Sequence, residues 1–195
     1  PEELDDPIGD ERHSPVEGVA HRYPNRALLK VTQLCEVYCR FCFRKEMIGN
    51  KGESLSRDEL QNAYRYFSEH PELWEVILTG GDPLILSNQR LSSVLHSLAE
   101  IPHIKTIRIH TRIPFMNPDR IDETFLSLCE TIMEQGTMII MVLHANHIAE
   151  IGKEASDVLL RLRRAGILLI SQSVLLKGVN DSFEALKALF EGLLE

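Results

Sequence analysis

From residue 27 onward, short apolar runs alternate with segments of helical periodicity. The runs Ala27–Thr32, Glu75–Thr79, Lys105–His110, Thr137–Leu143 and Ile167–Gln172 are β-branched or rich in Leu and Ile, and almost continuously apolar. Strands buried on both faces read this way, whereas half-exposed strands alternate. Between them, Ser56–His70, Asn88–Glu100, Arg120–Glu134, Glu154–Ala165 and Ser182–Leu194 carry helical patterns. Ser56 precedes Glu59 at the spacing of a capping box, and Gly166 follows Ala165 where a helix would stop. Strands alternating with helices predict right-handed parallel crossovers. The predicted fold class is therefore α/β, an incomplete (β/α) barrel with parallel strands, with a doubly wound open sheet as the alternative. Residues 1–26 are polar and rich in turn formers (DDPIGDERHSP) and predict an irregular lead-in; residues 27–195 form the barrel core.

The polar residues fall on this frame in one way. The first strand runs into CEVYCRFCFRK and the second into Thr79-Gly80-Gly81-Asp82-Pro83. The next three end at His110-Thr111-Arg112, at His144-Ala145-Asn146-His147 and at Gln172-Ser173. Each cluster lies at the carboxyl end of a strand, which is the catalytic face of an α/β barrel.

Cys35, Cys39 and Cys42 stand at C-x3-C-x2-C spacing. Three thiolates so spaced suit three irons of a 4Fe–4S cubane and leave the fourth iron open for a ligand. Four-cysteine runs close the cluster instead. A zinc site would call for a second pair of ligands, and none follows. Cys129, the remaining cysteine, lies in the apolar helical stretch FLSLCETIM and is expected in the core. Tyr38, Phe41 and Phe43 would shield a cluster from water, and Arg40, Arg44 and Lys45 would place positive charge beside it.

Composition narrows the class further. At 195 residues, 44% hydrophobic and 26% charged, the chain can build one substantial core. A net charge of −8 argues against a general nucleic-acid surface. No apolar run is long enough to span a membrane, and no targeting segment is visible, so a reducing cytoplasm is the expected compartment. The chain starts on Pro1 and stops inside the pattern SFEALKALFEGLLE, so it is expected to be a piece of a longer protein. The edge of its last strand is then expected to face solvent.

A Gly-Gly pair at a strand end lets a ligand approach the backbone, and Asp82 offers a carboxylate to an ammonium. An open iron beside an ammonium site is what S-adenosylmethionine requires, because its methionyl amino and carboxylate groups can chelate iron. A tight turn is the alternative reading of GGDP taken alone.

Taken together, HSPVEGVAHRYPNRALLKVT, CEVYCRFCFRK, EVILTGGDPL, IPHIKTIRIHTRIP and SQSVLLKGVND resemble the lysine 2,3-aminomutase family of radical S-adenosylmethionine (SAM) enzymes. The resemblance implies a partial radical SAM barrel that shifts an amino group between adjacent carbons of lysine, with a 4Fe–4S cluster, S-adenosylmethionine and pyridoxal 5′-phosphate. It implies cluster ligation by Cys35, Cys39 and Cys42, and S-adenosylmethionine binding by Gly80, Gly81 and Asp82, with His144 and Gln172 as further contacts. It places Arg22, Tyr23 and Arg26 near pyridoxal phosphate and Arg44 at the substrate carboxylate. It also implies a reducing electron donor and, for the full-length protein, a homo-oligomer. The family's Schiff-base lysine lies in a Gly-rich segment near the C-terminus, and no lysine here has that context, so no internal aldimine is expected on this chain. Two alternatives stand beside this reading. The same strings also resemble the branch that supplies β-lysine for modification of elongation factor P. A non-catalytic iron–sulfur or zinc-binding barrel fragment is the alternative of a different class.

Overall fold

Pro24-Asn25 turns the chain between two strands that the lead-in had not been expected to hold. β1 (Val19–Tyr23) and β2 (Arg26–Thr32) pair antiparallel, with Val19 opposite Leu29 and Tyr23 opposite Arg26. The computed structural model describes residues 6–46, 48 and 54–194. Residues 1–5 of the lead-in and the terminal Glu195 lie outside them. The lead-in is thus irregular only in part. Pairing with β2 across the Pro24-Asn25 turn, and not an alternating pattern of its own, makes β1 a strand.

The remaining strands are β3 (Glu75–Gly80), β4 (Thr106–Thr111), β5 (Met138–His144) and β6 (Leu168–Gln172). Among the described residues the sheet runs β1-β2-β3-β4-β5-β6, parallel from β2 onward. The expected α/β barrel with parallel strands is present in partial form. α1 (Arg57–Ser68) follows β2, and α2 (Asn88–Ala99) follows β3. A single turn, α3 (Ile113–Met116), and then α4 (Glu123–Glu134) follow β4. α5 (Lys153–Arg164) follows β5, and α6 (Phe183–Leu194) follows β6. The Ser56–Glu59 capping box forms as expected. Gly166 adopts φ 80°, the left-handed conformation that ends α5.

Strand alternation explains where the core sits. Ala27, Leu29, Val31, Val76, Leu78, Ile107, Ile109, Ile139 and Met141 pack against Phe67 of α1, Leu91 and Leu95 of α2, and Phe125 and Ile132 of α4. Cys129 of α4 belongs to this layer, fully buried, and burial pushes its thiol up to about 12. The alternate residues face the other side of the sheet. There the apolar runs hide polar chemistry. Glu75 is completely buried, paired with Arg26 at 3.5 Å and with Arg108 across β4. Two-faced burial holds for most of β3 and β5 but not for β6, where Leu168 and Ile170 are 50% and 40% exposed. Among the described residues β6 has no neighbour on its far side. No helix among them is long and apolar enough to cross a membrane.

Candidate radical SAM site

The cysteine loop leaves β2 at Thr32, whose hydroxyl accepts the Leu34 amide at 3.2 Å and the Ser54 hydroxyl at 3.0 Å. The Cys42 amide then donates to the Cys39 carbonyl at 3.0 Å, and the Lys45 amide to the Cys42 carbonyl at 3.3 Å. These successive tight turns set Cys39 and Cys42 along one loop. Together with Cys35 they line one cavity of about 280 Å³ at the carboxyl ends of the strands. Gly80, Gly81, Asp82, His110, Arg112, His144, Gln172 and Arg44 line the same cavity. Cys129 does not.

The Gly-Gly-Asp segment also has a structural task. Gly81 donates its amide to the Thr32 carbonyl at 2.6 Å, and Asp82 donates its own to the Leu34 carbonyl at 2.8 Å. A Cβ on Gly81 would stand 1.9 Å from the Leu34 carbonyl oxygen, and one on Gly80 would stand 2.5 Å from that of Thr32. Gly80 also holds φ 108°. The space a side chain would fill is therefore taken by the root of the cysteine loop, not by a ligand. The two glycines clamp that loop to the end of β3.

Asp82 also has partners within the protein. Its carboxylate is only 7% exposed and accepts the Thr111 hydroxyl at 2.8 and 2.9 Å, the Arg112 amide at 2.8 Å and the Leu84 amide at 3.1 Å. Burial raises its carboxyl above the usual range, against the pull of those donors. It caps the 3-10 turn Pro83–Ile85 and ties β3 to β4, while also lining the cavity.

Two histidines line the cavity as neutral imidazoles. Burial pushes His110 down to about 4, helped by Arg108 and opposed by Gln172. Burial and then Arg112 lower His144. Among the described residues, the Nε2 atoms of both and Nε of Arg112 are buried without a hydrogen-bond partner. Such atoms suit a polar ligand. His147 does not join them; its Nδ1 accepts the Ala149 amide at 3.2 Å and caps the turn Ile148–Glu150.

Arg44 lines the cavity, and its Nε donates to Asp10 at 3.0 Å, with Lys30 at 4.0 Å from the same oxygen. Its guanidinium lies 4.5 Å from the Phe43 ring centroid. Arg22, Tyr23 and Arg26 are not brought to this cavity. Arg26 opens β2, about 20 Å from Thr32 by strand rise, and is engaged by Asn25 and Glu75. Arg22 donates to the Ile8 carbonyl at 3.1 Å, and Tyr23 is 57% exposed. Both arginines are thus engaged by the protein's own acceptors.

Thr111 and Arg112 line the cavity, and Glu150 and Asp10 bind its arginines; sequence reading placed the first two at a strand end and gave none of the four a role of its own. Arg112 Nη1 stands 3.0 Å from Cys39 Sγ, and its other Nη is bound to the Glu150 carboxylate. The signal available was the strand-end position of His110-Thr111-Arg112. Nothing local marked Arg112 above its neighbours.

The thiols fit a cluster. Burial, then Asp82, Cys42 and Cys39, push the Cys35 thiol up to about 12. Thiolates crowded with a carboxylate repel one another unless cations meet them, and iron ions supply that charge. Among the described residues no three Cys, His, Asp or Glu side chains are gathered around one ion. Cubane ligands each take a different iron and need no such gathering.

The family model "Radical SAM superfamily" matches residues 29–190. L-lysine 2,3-aminomutase of Escherichia coli is 41% identical over 97% of this chain and 54% of that protein. The enzymes of that name from Fusobacterium nucleatum and Clostridium subterminale are 37% and 35% identical, over 98% and 99% of this chain and 44% and 45% of those proteins. The chain spans about half the length of the curated relatives it matches. Among solved structures, Streptococcus suis SuiB bound to precursor peptide SuiA shares the fold, with a TM-score of 0.61 at 16% identity, over 93% of this chain and 38% of that one. The three thiols at the strand ends, the parallel sheet beneath them and these similarities converge, and the chain belongs to the radical SAM superfamily.

Proposed function

We propose that this chain carries the cluster- and S-adenosylmethionine-binding part of a radical SAM aminomutase acting on lysine. One observation supports this most: Cys35, Cys39 and Cys42 line a single cavity with Gly80, Gly81, His144 and Gln172, at the carboxyl ends of parallel strands. When bound there, a 4Fe–4S cluster supplies one electron to the sulfonium of S-adenosylmethionine. The chain's own residues do the rest. The glycine clamp fixes the loop root, and Phe41 and Phe43 line the cavity beside the thiols. The neutral His110 and His144 offer one donor and one acceptor nitrogen each. Arg44, steadied by Asp10, presents a cation on the cavity wall for a carboxylate. The lysine substrate, the electron donor and the pyridoxal phosphate belong to this reading through kinship with the aminomutases.

The test is anaerobic reconstitution of the chain with iron and sulfide. About four irons per chain and a brown colour are expected. Addition of S-adenosylmethionine and dithionite should then yield methionine and 5′-deoxyadenosine. With lysine and pyridoxal phosphate added, β-lysine supports the substrate assignment; reductive cleavage with no amino shift removes it and leaves the radical SAM reading. A chain that binds one zinc and no iron overturns both.

A further inference from the structure

Arg112 is held from three sides in a place where the reading above assigns it nothing. Its amide is fixed by Asp82 at 2.8 Å. Its guanidinium is bound by Glu150 and lies 5.7 Å from the Phe41 ring centroid. Glu150 is itself immobilised, because its Oε1 accepts the Asn146 amide at 2.7 Å and the His147 amide at 3.1 Å. Arg112 Nη1 meets Cys39 Sγ at 3.0 Å. The loop after β5, the end of β4 and the cysteine loop therefore converge on one cation and one sulfur.

We infer that Arg112, oriented by Glu150, is a positioning residue that sets how readily a cluster on this loop accepts an electron. The inference rests on the cysteines being cluster ligands. A guanidinium stays charged at every working pH, and a hydrogen bond from it to a thiolate is charge-assisted. Hydrogen bonds to the sulfurs and the net charge around a cluster raise or lower its reduction potential. Arg112 supplies both a hydrogen bond and a positive charge at Cys39, which favours the reduced cluster. Glu150 opposes it with a negative charge one residue further out, so the pair acts as a graded setting.

A purely structural staple makes a different prediction. Cutting a staple from either end loosens the loop and moves both variants in the same direction, chiefly through iron content. A tuning charge moves them oppositely. The experiment is a dye-mediated reduction titration, followed by electron paramagnetic resonance, of the chain reconstituted with iron and sulfide. Arg112→Met should lower the reduced-to-oxidised ratio at fixed ambient potential about tenfold, which is 59 mV for one electron. Arg112→Lys keeps the charge without the fork and should recover part of that shift. Glu150→Gln retains an acceptor for the Asn146 and His147 amides, removes the opposing charge, and should shift the potential upward. Unmoved potentials, or shifts of one sign in Arg112→Met and Glu150→Gln, overturn the tuning role while leaving the cluster assignment intact. So does loss of iron in Arg112→Lys and Glu150→Gln alike, which would make the pair a staple. If the unsubstituted chain takes up no iron, the ligand assignment fails and this inference with it.

Discussion

Gly81→Ala isolates the clamp between β3 and the cysteine loop. The new Cβ would stand 1.9 Å from the Leu34 carbonyl oxygen and 2.6 Å from its carbon. Both are backbone atoms and cannot rotate away. Ordinary contact begins at 3.4 Å, so the two segments must part by about 1.5 Å. That separation breaks the Asp82-to-Leu34 bond at 2.8 Å and strains the Gly81-to-Thr32 bond at 2.6 Å. Overpacking costs about 1–3 kcal/mol and a lost hydrogen bond about 1 kcal/mol, so a total near 3 kcal/mol is expected. For a chain of this size that lowers the Tm by about 6–12 °C. Because Cys35 follows Leu34 directly, the same shift displaces a ligand, and iron uptake should fall well below that of the parent. Calorimetry and iron analysis read the two effects separately. A variant with the parent's Tm and full iron content would show that the close approach of Gly81 to Leu34 does not hold the loop.

Cys39→Ala should do the reverse, abolishing cluster assembly while leaving the Tm within about 2 °C, because the fold draws on the helix-side core and not on the loop; iron analysis beside circular dichroism decides it. Asp82→Ala strands the amides of Arg112 and Leu84 and the Thr111 hydroxyl, at about 1–3 kcal/mol for each buried donor left unpaired. A lower urea midpoint in the absence of any ligand is therefore expected, and an unchanged midpoint would show that these bonds do not hold β3 to β4. His110 titrates at about 4 in the fold against 6.5 for the free side chain. The unfolded chain thus takes up its proton first as pH falls. The stability it contributes is full above 6.5 and is lost towards 4, by about 3 kcal/mol at most. Urea midpoints at pH 7 and 4.5 should draw apart less in His110→Gln than in the parent, and an equal gap would refute the assignment.

Much of this protein is legible in its residue order because the relevant physics is local. The strand and helix periods, the Ser56–Glu59 capping box, the Gly166 stop and the burial of Cys129 depend on neighbours within a turn or two. The cysteine spacing is equally local, since three ligands on one loop carry their geometry in the sequence. Position at a strand's carboxyl end follows from topology, so the shared cavity of the three thiols with Gly80, Gly81, His144 and Gln172 was readable too. Tertiary structure decided what each polar group is already committed to. Only the fold shows that Leu34 occupies the Cβ position of Gly81, and that Asp82 accepts from Thr111 and Arg112. Arg44 gains Asp10, from 34 residues away, and Cys39 gains Arg112, from 73. Hydrogen-bond capacity is finite, and only packing across distant segments reveals which donors and acceptors are spent. One strand face shows the same division. The sequence alone made the runs apolar, whereas the sheet's layering against helices on one side decided that Glu75, Arg26 and Arg108 meet on the other.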